Sequence, residues 1–483
     1  MQISPHPHVL LGLILIFPLA EASGQGTDAI PVIIAPTFAP APAPAISVPV
    51  TDPFAPPSLA PPPSPSAVEP FGTAPPAAIP SATAFSPNPA HAFSIEALQR
   101  LGLEAHGLIR AAQSQVEMAE AGVIGASAYP NPQVTVAGGP QHARVPAGLP
   151  ANYHRQVTVA QTIENPFVRS ARIGSAEAGV EASRASFDQV RADLAAQLRV
   201  RAYELLLRQE IARMEGGVFD LMEEVRRRIK VGVGVGETAR FELIRADAEV
   251  LNAASRKEAA ELNAQRARVA LMQFTAGALK PDFAINASLF DPVNLPPLEK
   301  LRQEVPAVNP DVLRLQAEWE RARLRISQER ASVLPSVQVI YSNFQEFQYT
   351  SNLVGLNVTV PILYRRRGEI DAAVADSERV RETLEFRRFE IGQLLESAWQ
   401  GLQIAQRRVE MFEGGIIKEA ESALRIAQAA YRFGERGLID VLDTQRVLRG
   451  ILADSLQARF DLQAAAAEID RLRAYYPKEQ APE

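Results

Sequence analysis

Apolar positions along this chain follow two rhythms. From about 166 to about 230 they recur every three or four residues, with no proline after Pro166, which is the rhythm of one uninterrupted helix. Roughly 64 residues at ~1.5 Å each make that helix ~95 Å long. The same rhythm predicts an alanine-rich helix over 92–128 and further helices at about 238–274, 299–332, 368–432 and 438–475. In four shorter stretches the rhythm changes to strict alternation: "NPQVTVAGG" (131–139), "YHRQVTVAQTI" (153–163), "SVQVIYSNFQEF" (336–347) and "NLVGLNVTV" (352–360). These read as strands, with one face apolar and the other small or polar.

The order helix, two strands, long helix, shorter helix occurs twice. "MEGGVFDLMEEVRRRIKVGVGVGE" (214–237) matches "FEGGIIKEAESALRIAQAAYRFGE" (412–435), and Glu215-Gly216-Gly217 aligns with Glu413-Gly414-Gly415. Gly236-Glu237 aligns with Gly434-Glu435 at the same separation of 198 residues, which points to internal duplication.

Two strands per half cannot bury a sheet, and their alternation fits two settings. One is a half-buried sheet in a soluble domain. The other is a transmembrane barrel with its apolar face toward lipid. Helices this long need partner helices along their whole length. In the last one Leu438, Val441, Leu442, Leu448, Leu452, Leu456, Phe460 and Leu472 fall at coiled-coil-like spacing.

Composition narrows the classes. There is no cysteine, which excludes disulfides, thiolate chemistry and cysteine-bound zinc or lipid. With a net charge of −6 and no basic stripe, nucleic acid is not an expected partner. The six histidines never fall at metal-ligand spacing within a helix, so neither a metal site nor a cofactor is expected. Arg226, Arg227 and Arg228 read as a solvated face. "GVGVGE" lacks the Lys-Ser/Thr of a phosphate loop, and no catalytic constellation emerges, so the chain does not read as an enzyme.

At the N-terminus "VLLGLILIFPL" (9–19) has the length of a signal-peptide core, and "LAEASG" follows with small residues at Ala20 and Ala22. Residues 1–24 are therefore expected to be a signal peptide. Residues 25–91 are expected to be disordered and extended, because 31–89 holds 19 of the 38 prolines. The first repeat then spans 92–280, a connector 281–300, the second repeat 301–476 and a tail 477–483.

Several stretches resemble the TolC-like outer-membrane efflux protein family. "AYRFGERGLIDVLDTQRVL" (430–448) resembles the family's second-repeat pattern, "NVTVPILYRRRGEIDAAVA" (357–375) its strand-to-helix junction, and "YPNPQV" (129–134) its entry to the first strand. "GETARFELIRADAEV" (236–250) is a looser first-repeat version. The resemblance covers most of 92–476 and implies a mainly α fold with a small β part. Four strands from each protomer of a homotrimer would form one twelve-stranded barrel in the outer membrane, and the helices a coiled-coil tunnel through the periplasm. It implies a passive exit duct that works with a periplasmic adaptor and an inner-membrane transporter. A duct for type I protein secretion belongs to the same family, and a coiled-coil scaffold without a pore is the alternative of a different class.

The resemblance also implies roles for residues at the helix-hairpin tips. Asp440 and Asp443 correspond to the family's constriction aspartates, which threefold symmetry turns into carboxylate rings. A first-turn aspartate is also favoured by the helix dipole alone, by ~0.3–1 kcal/mol. Tyr431, Arg436 and Glu242 correspond to a polar latch between helix pairs, although Phe241 stands where the family has a small hydroxyl residue. The tips, with Gly232, Gly234, Gly236 and Glu237 in one and Gly434, Glu435 and Gly437 in the other, are expected to dock the adaptor. Their glycines are expected to turn the chain, and "VGVGVGE" to make the first tip flexible. The first repeat faintly resembles the heavy-metal-efflux branch, but six methionines and no cysteine leave no soft-metal relay visible. The substrate is not readable from the residues.

Overall fold

In a computed structural model, the described residues are 92–141, 152–346 and 349–477. The expected signal peptide, the Pro/Ala segment and all but the first residue of the C-terminal tail lie outside them.

The first repeat opens with a two-residue strand β1 (Ala92–Phe93), then α1 (Ile95–Ala105) and α2 (Gly107–Ser127). Strands β2 (Gln133–Gln141) and β3 (Asn152–Ile163) lead into α3 (Pro166–Gly234) and α4 (Arg240–Phe274). After a short β4 (Ala284–Ile285), the second repeat runs α5 (Leu298–Val308), α6 (Pro310–Ala331), β5 (Ser336–Gln345), β6 (Thr350–Thr359) and α7 (Arg367–Met411). A π-helical turn at Phe412–Ile416 joins α7 to α8 (Ile417–Arg432), and α9 (Leu438–Leu472) closes the order.

The long helix α3 forms as its pattern predicts and extends four residues beyond 230. Asn165 caps it by accepting from the Phe167 N–H, and Pro166 occupies the first turn, where its missing donor does no harm. Three helices expected to be continuous are broken. The first breaks at His106, whose Nδ1 accepts from the Leu108 N–H and starts α2. The 299–332 helix breaks at Asn309, whose side chain caps α6 at the Asp311 and Val312 N–H groups. Pro310 follows it, and a residue before proline is disfavoured in the helical region. The 368–432 helix breaks at the π turn.

Strands β2, β3, β5 and β6 form one antiparallel sheet in that order. The register pairs Val134 with Val159 and Val136 with Val157, then Val337 with Val358, Val339 with Leu356 and Tyr341 with Val354. Directly paired residues share a face, so one face is a continuous apolar band. The opposite face carries Thr135, Thr158, Ser342 and Asn357, and the Thr158 and Ser342 hydroxyls share a hydrogen bond of 2.9 Å. Both outer strands, β2 and β6, have one unpaired side among the described residues. Strands of 9–12 residues have the length of a membrane-crossing β-segment. Among the described residues, no helix is long and apolar enough to cross a membrane.

Three apolar cores run along the helices. At the middle, Leu98, Leu198, Leu205, Leu271 and Phe283 join α1, α3 and α4 to the connector. Leu301, Leu384, Ile391 and Ile469 join α5, α7 and α9. The third core, with Met222, Ile229, Ala246, Leu438 and Leu442, packs the two hairpins against each other near their tips. The connector is more ordered than its prolines suggest: β4 pairs in parallel with β1, and the Asn286 N–H donates to the Phe93 carbonyl at 2.8 Å.

Candidate functional site: the paired hairpin tips

The two tips are built alike. In the first, Gly236 adopts φ 81°, its N–H donates to the Val233 carbonyl, and the Glu237 N–H reaches back to the Gly232 carbonyl at 2.9 Å. In the second, Gly434 adopts φ 73°, its N–H donates to the Tyr431 carbonyl, and the Glu435 N–H reaches the Ala430 carbonyl at 2.9 Å. This is one helix-terminating motif used twice, and it needs a left-handed residue, hence glycine, after the cap. The other tip glycines do different work from that expected. Gly232 and Gly234 lie within α3, Gly234 as its last residue, so they continue the helix and do not themselves turn the chain. A Cβ at Gly232 would meet Thr238 Oγ1 at 2.4 Å, so that position serves close approach. Gly437 is the extended residue before α9, at φ −81°.

Leu438, Val441, Leu442 and Gln445 are buried on the inner face of α9. Asp440 and Asp443 therefore fall on its outer side, half-exposed and exposed respectively. Each lies near an arginine of its own segment: Arg436 Nη1 is 3.7 Å from Asp440 Oδ1, and Arg446 Nη1 is 2.9 Å from Asp443 Oδ1. Asp440 sits in the first turn, where the dipole favours it, and Asp443 is one turn further on.

The structure brings Tyr431 and Glu242 together. The Tyr431 hydroxyl donates to Glu242 Oε2 at 3.0 Å and links the second hairpin to the first. Burial and the neighbouring Glu242 carboxylate push the phenol up to about 12, so it stays a donor throughout the physiological range. Among the described residues Arg436 does not join this pair and faces Asp440 instead. Between the tips lies a cavity of about 840 Å³ lined by Arg228, Glu237, Glu242, Tyr431, Arg436 and Val441, among others.

One pair of hairpin links was missed at the level of sequence. Glu215, buried in α3, receives Arg449 of α9 at 3.0 Å and stands 3.6 Å from Arg256 of α4. Its counterpart Glu413 is paired with Arg459, again on α9. The signal was present: both glutamates open the repeated E-G-G tripeptide, and a repeated charge beside two glycines deserved a partner. Among the described residues no cluster of His, Asp and Glu could hold a metal ion.

The comparisons agree with this architecture. The model of the family described as outer membrane efflux protein matches residues 100–277 and again 301–472. The cobalt-zinc-cadmium resistance protein CzcC of Cupriavidus metallidurans is 24% identical over 388 residues, covering 78% of this chain and 89% of that protein. A membrane protein from Pseudomonas aeruginosa superposes with a TM-score of 0.68 at 17% identity, over 78% of this chain and 90% of the other. The open state of the MtrE outer membrane channel of Neisseria gonorrhoeae does so with a TM-score of 0.67 at 16% identity, over 80% and 91%. Two family matches fall on the two copies of one hairpin-and-sheet unit, and the chain belongs to the outer membrane efflux protein family as an exit duct of the outer membrane.

Proposed function

We propose that three copies assemble around a pore, close a twelve-stranded barrel with their free β2 and β6 edges, and carry metal cations outward through a tunnel gated at the hairpin tips. The observation that carries the assembly is the pair of open edges, because an unpaired strand edge is stable only when another strand or a cover meets it. Exposed apolar residues on the helices support it too: Phe241, Ile244, Leu251 and Leu262 on α4 and Phe386 and Phe389 on α7 need partners that the described residues of one chain do not provide.

The tips supply the gate. Asp440 and Asp443, on the side of α9 turned away from its own core, become two rings of three carboxylates under threefold symmetry. Such rings attract cations and narrow a pore electrostatically. Arg436 and Arg446 moderate each ring in the closed form, and the Tyr431–Glu242 hydrogen bond holds the second hairpin against the first. The tips also offer the surface on which a periplasmic adaptor docks, opening the duct toward an inner-membrane transporter. The substrate class rests on the relative named for cobalt, zinc and cadmium resistance. Oxygen ligands in rings suit cations in transit, because they bind without the tight hold of thiolates.

Single-channel recording in planar bilayers tests the gate. Asp440→Ala with Asp443→Ala is expected to raise conductance and weaken block by multivalent cations. Unchanged conductance together with unchanged block removes the assignment.

A further inference from the structure

All four helix–strand junctions of the sheet lie at one end: residues 128–132, 164–165, 332–335 and 360–366. Large apolar side chains are exposed there. Tyr129, Phe167, Ile362 and Tyr364 are each more than half exposed, and Leu363 is wholly exposed. Ile362, Leu363 and Tyr364 extend the run of exposed apolar residues from β6 into the turn that follows it. That turn reads Ile362-Leu363-Tyr364-Arg365-Arg366-Arg367, an apolar triplet followed at once by three arginines.

The three arginines are not equivalent. Arg366 is the helix cap, held in a left-handed conformation at φ 53°, and its guanidinium grips Glu329 of α6 through two nitrogens. It fixes the turn. Arg365 is exposed and makes no hydrogen bond or ion pair among the described residues. Among the described residues Arg367 reaches only Asp371 at 3.7 Å, with 92% of its side chain exposed, a contact too wet to occupy it. The nearby acids are already engaged: Glu329 by Arg366, Glu369 by the Tyr364 hydroxyl at 2.5 Å, and Glu164 by Arg172. Two outward cations therefore stand beside a solvent-exposed apolar wedge on a chain whose net charge is −6.

We propose that this turn is an anchor for an anionic phospholipid of the periplasmic leaflet. Ile362, Leu363 and Tyr364 enter the boundary between acyl chains and headgroups, and Arg365 and Arg367 hold the phosphodiester. An interfacial aromatic beside basic residues has the polarity of that boundary. The guanidinium fork matches two phosphate oxygens at once, which an ammonium cannot do. The anchor sets the depth of the barrel and fixes the point where strand becomes tunnel helix. It rests on the sheet lying in the outer membrane.

The protein is reconstituted into phosphatidylethanolamine vesicles with and without phosphatidylglycerol, then extracted mildly, and the retained lipid is quantified by mass spectrometry. The wild type is expected to retain phosphatidylglycerol severalfold above its share of the bilayer, and Arg365→Gln with Arg367→Gln to lower that enrichment at least threefold while insertion persists. Insertion without enrichment in the wild type, or equal enrichment in the variant, overturns the anchor and leaves the membrane location of the sheet standing. The absence of native cysteine permits a second reading: a fluorophore on Leu363→Cys should be quenched by brominated acyl chains. Cross-linking of that position to the adjoining protomer in place of quenching would assign the wedge to the subunit interface and overturn the anchor.

Discussion

The repeated E-G-G tripeptide allows one substitution to be tried in two settings, with opposite expected signs. Gly217 lies in the unbroken interior of α3, exposed, with nothing within 4 Å of an added Cβ. Alanine there removes unfolded-state freedom and adds helix propensity, a stabilisation of about 0.5–1 kcal/mol. Gly415 occupies the aligned position, also with open space around an added Cβ, but at φ 158° and ψ −27° inside the π turn. An alanine in such a conformation costs on the order of 1–3 kcal/mol, which offsets the same entropic gain and leaves a net destabilisation of up to about 2 kcal/mol. Relaxing the turn to a regular helix is no escape, because losing the extra residue rotates α8 and lifts Ala420 and Leu424 from their buried positions against α9. Heat-induced loss of helical circular dichroism, scanned at one fixed rate because unfolding of such assemblies is often irreversible, reads the difference. Gly217→Ala should raise the midpoint and Gly415→Ala lower it, each by about 1–3 °C for a chain of this size. Equal shifts of the same sign would refute the claim that the π turn, and not the tripeptide, makes the second glycine necessary.

Other outcomes follow from the links between hairpins. Tyr431→Phe removes one partly exposed hydrogen bond and is expected to cost about 0.5–1.5 kcal/mol in urea unfolding. Because the folded phenol titrates near 12 and a free one near 10, the folded tip keeps a proton that the unfolded chain releases in that window. Its contribution is complete below about pH 10 and disappears as pH rises through 12, and the wild-type minus variant tyrosinate absorbance should titrate near 12. Glu215→Gln leaves Arg449 and Arg256 without a buried anion and should cost about 2–4 kcal/mol, whereas Glu413→Gln, at a half-exposed site, should cost under about 1 kcal/mol; comparable losses by denaturant titration would contradict the burial argument. Gly437→Cys, in an otherwise cysteine-free chain, should cross-link to a cysteine-bearing adaptor in the assembled pump, and its failure in an active pump would count against tip docking.

Local chemistry determined much of this protein. The unbroken run of α3, the strand alternation, the duplication at 198 residues and the glycines that end α3 and α8 were legible because each depends on neighbours within a few positions. The breaks at His106 and Asn309 carried a signal as well, since Asn309 precedes a proline, but continuous amphipathic rhythm hid it. Tertiary structure decided what no short window contains. Identical tripeptides became a straight helix in one repeat and a π turn in the other, because the surrounding packing, not the tripeptide, chooses between them. Glu215 found Arg449 across more than two hundred residues, and β4 found β1 across nearly as many, through contacts that only the folded chain creates. Asp440 and Asp443 were visible as a pair, yet only the burial of Leu438, Val441 and Leu442 placed them on the outer side of α9, because a helix has no inside until something packs against it.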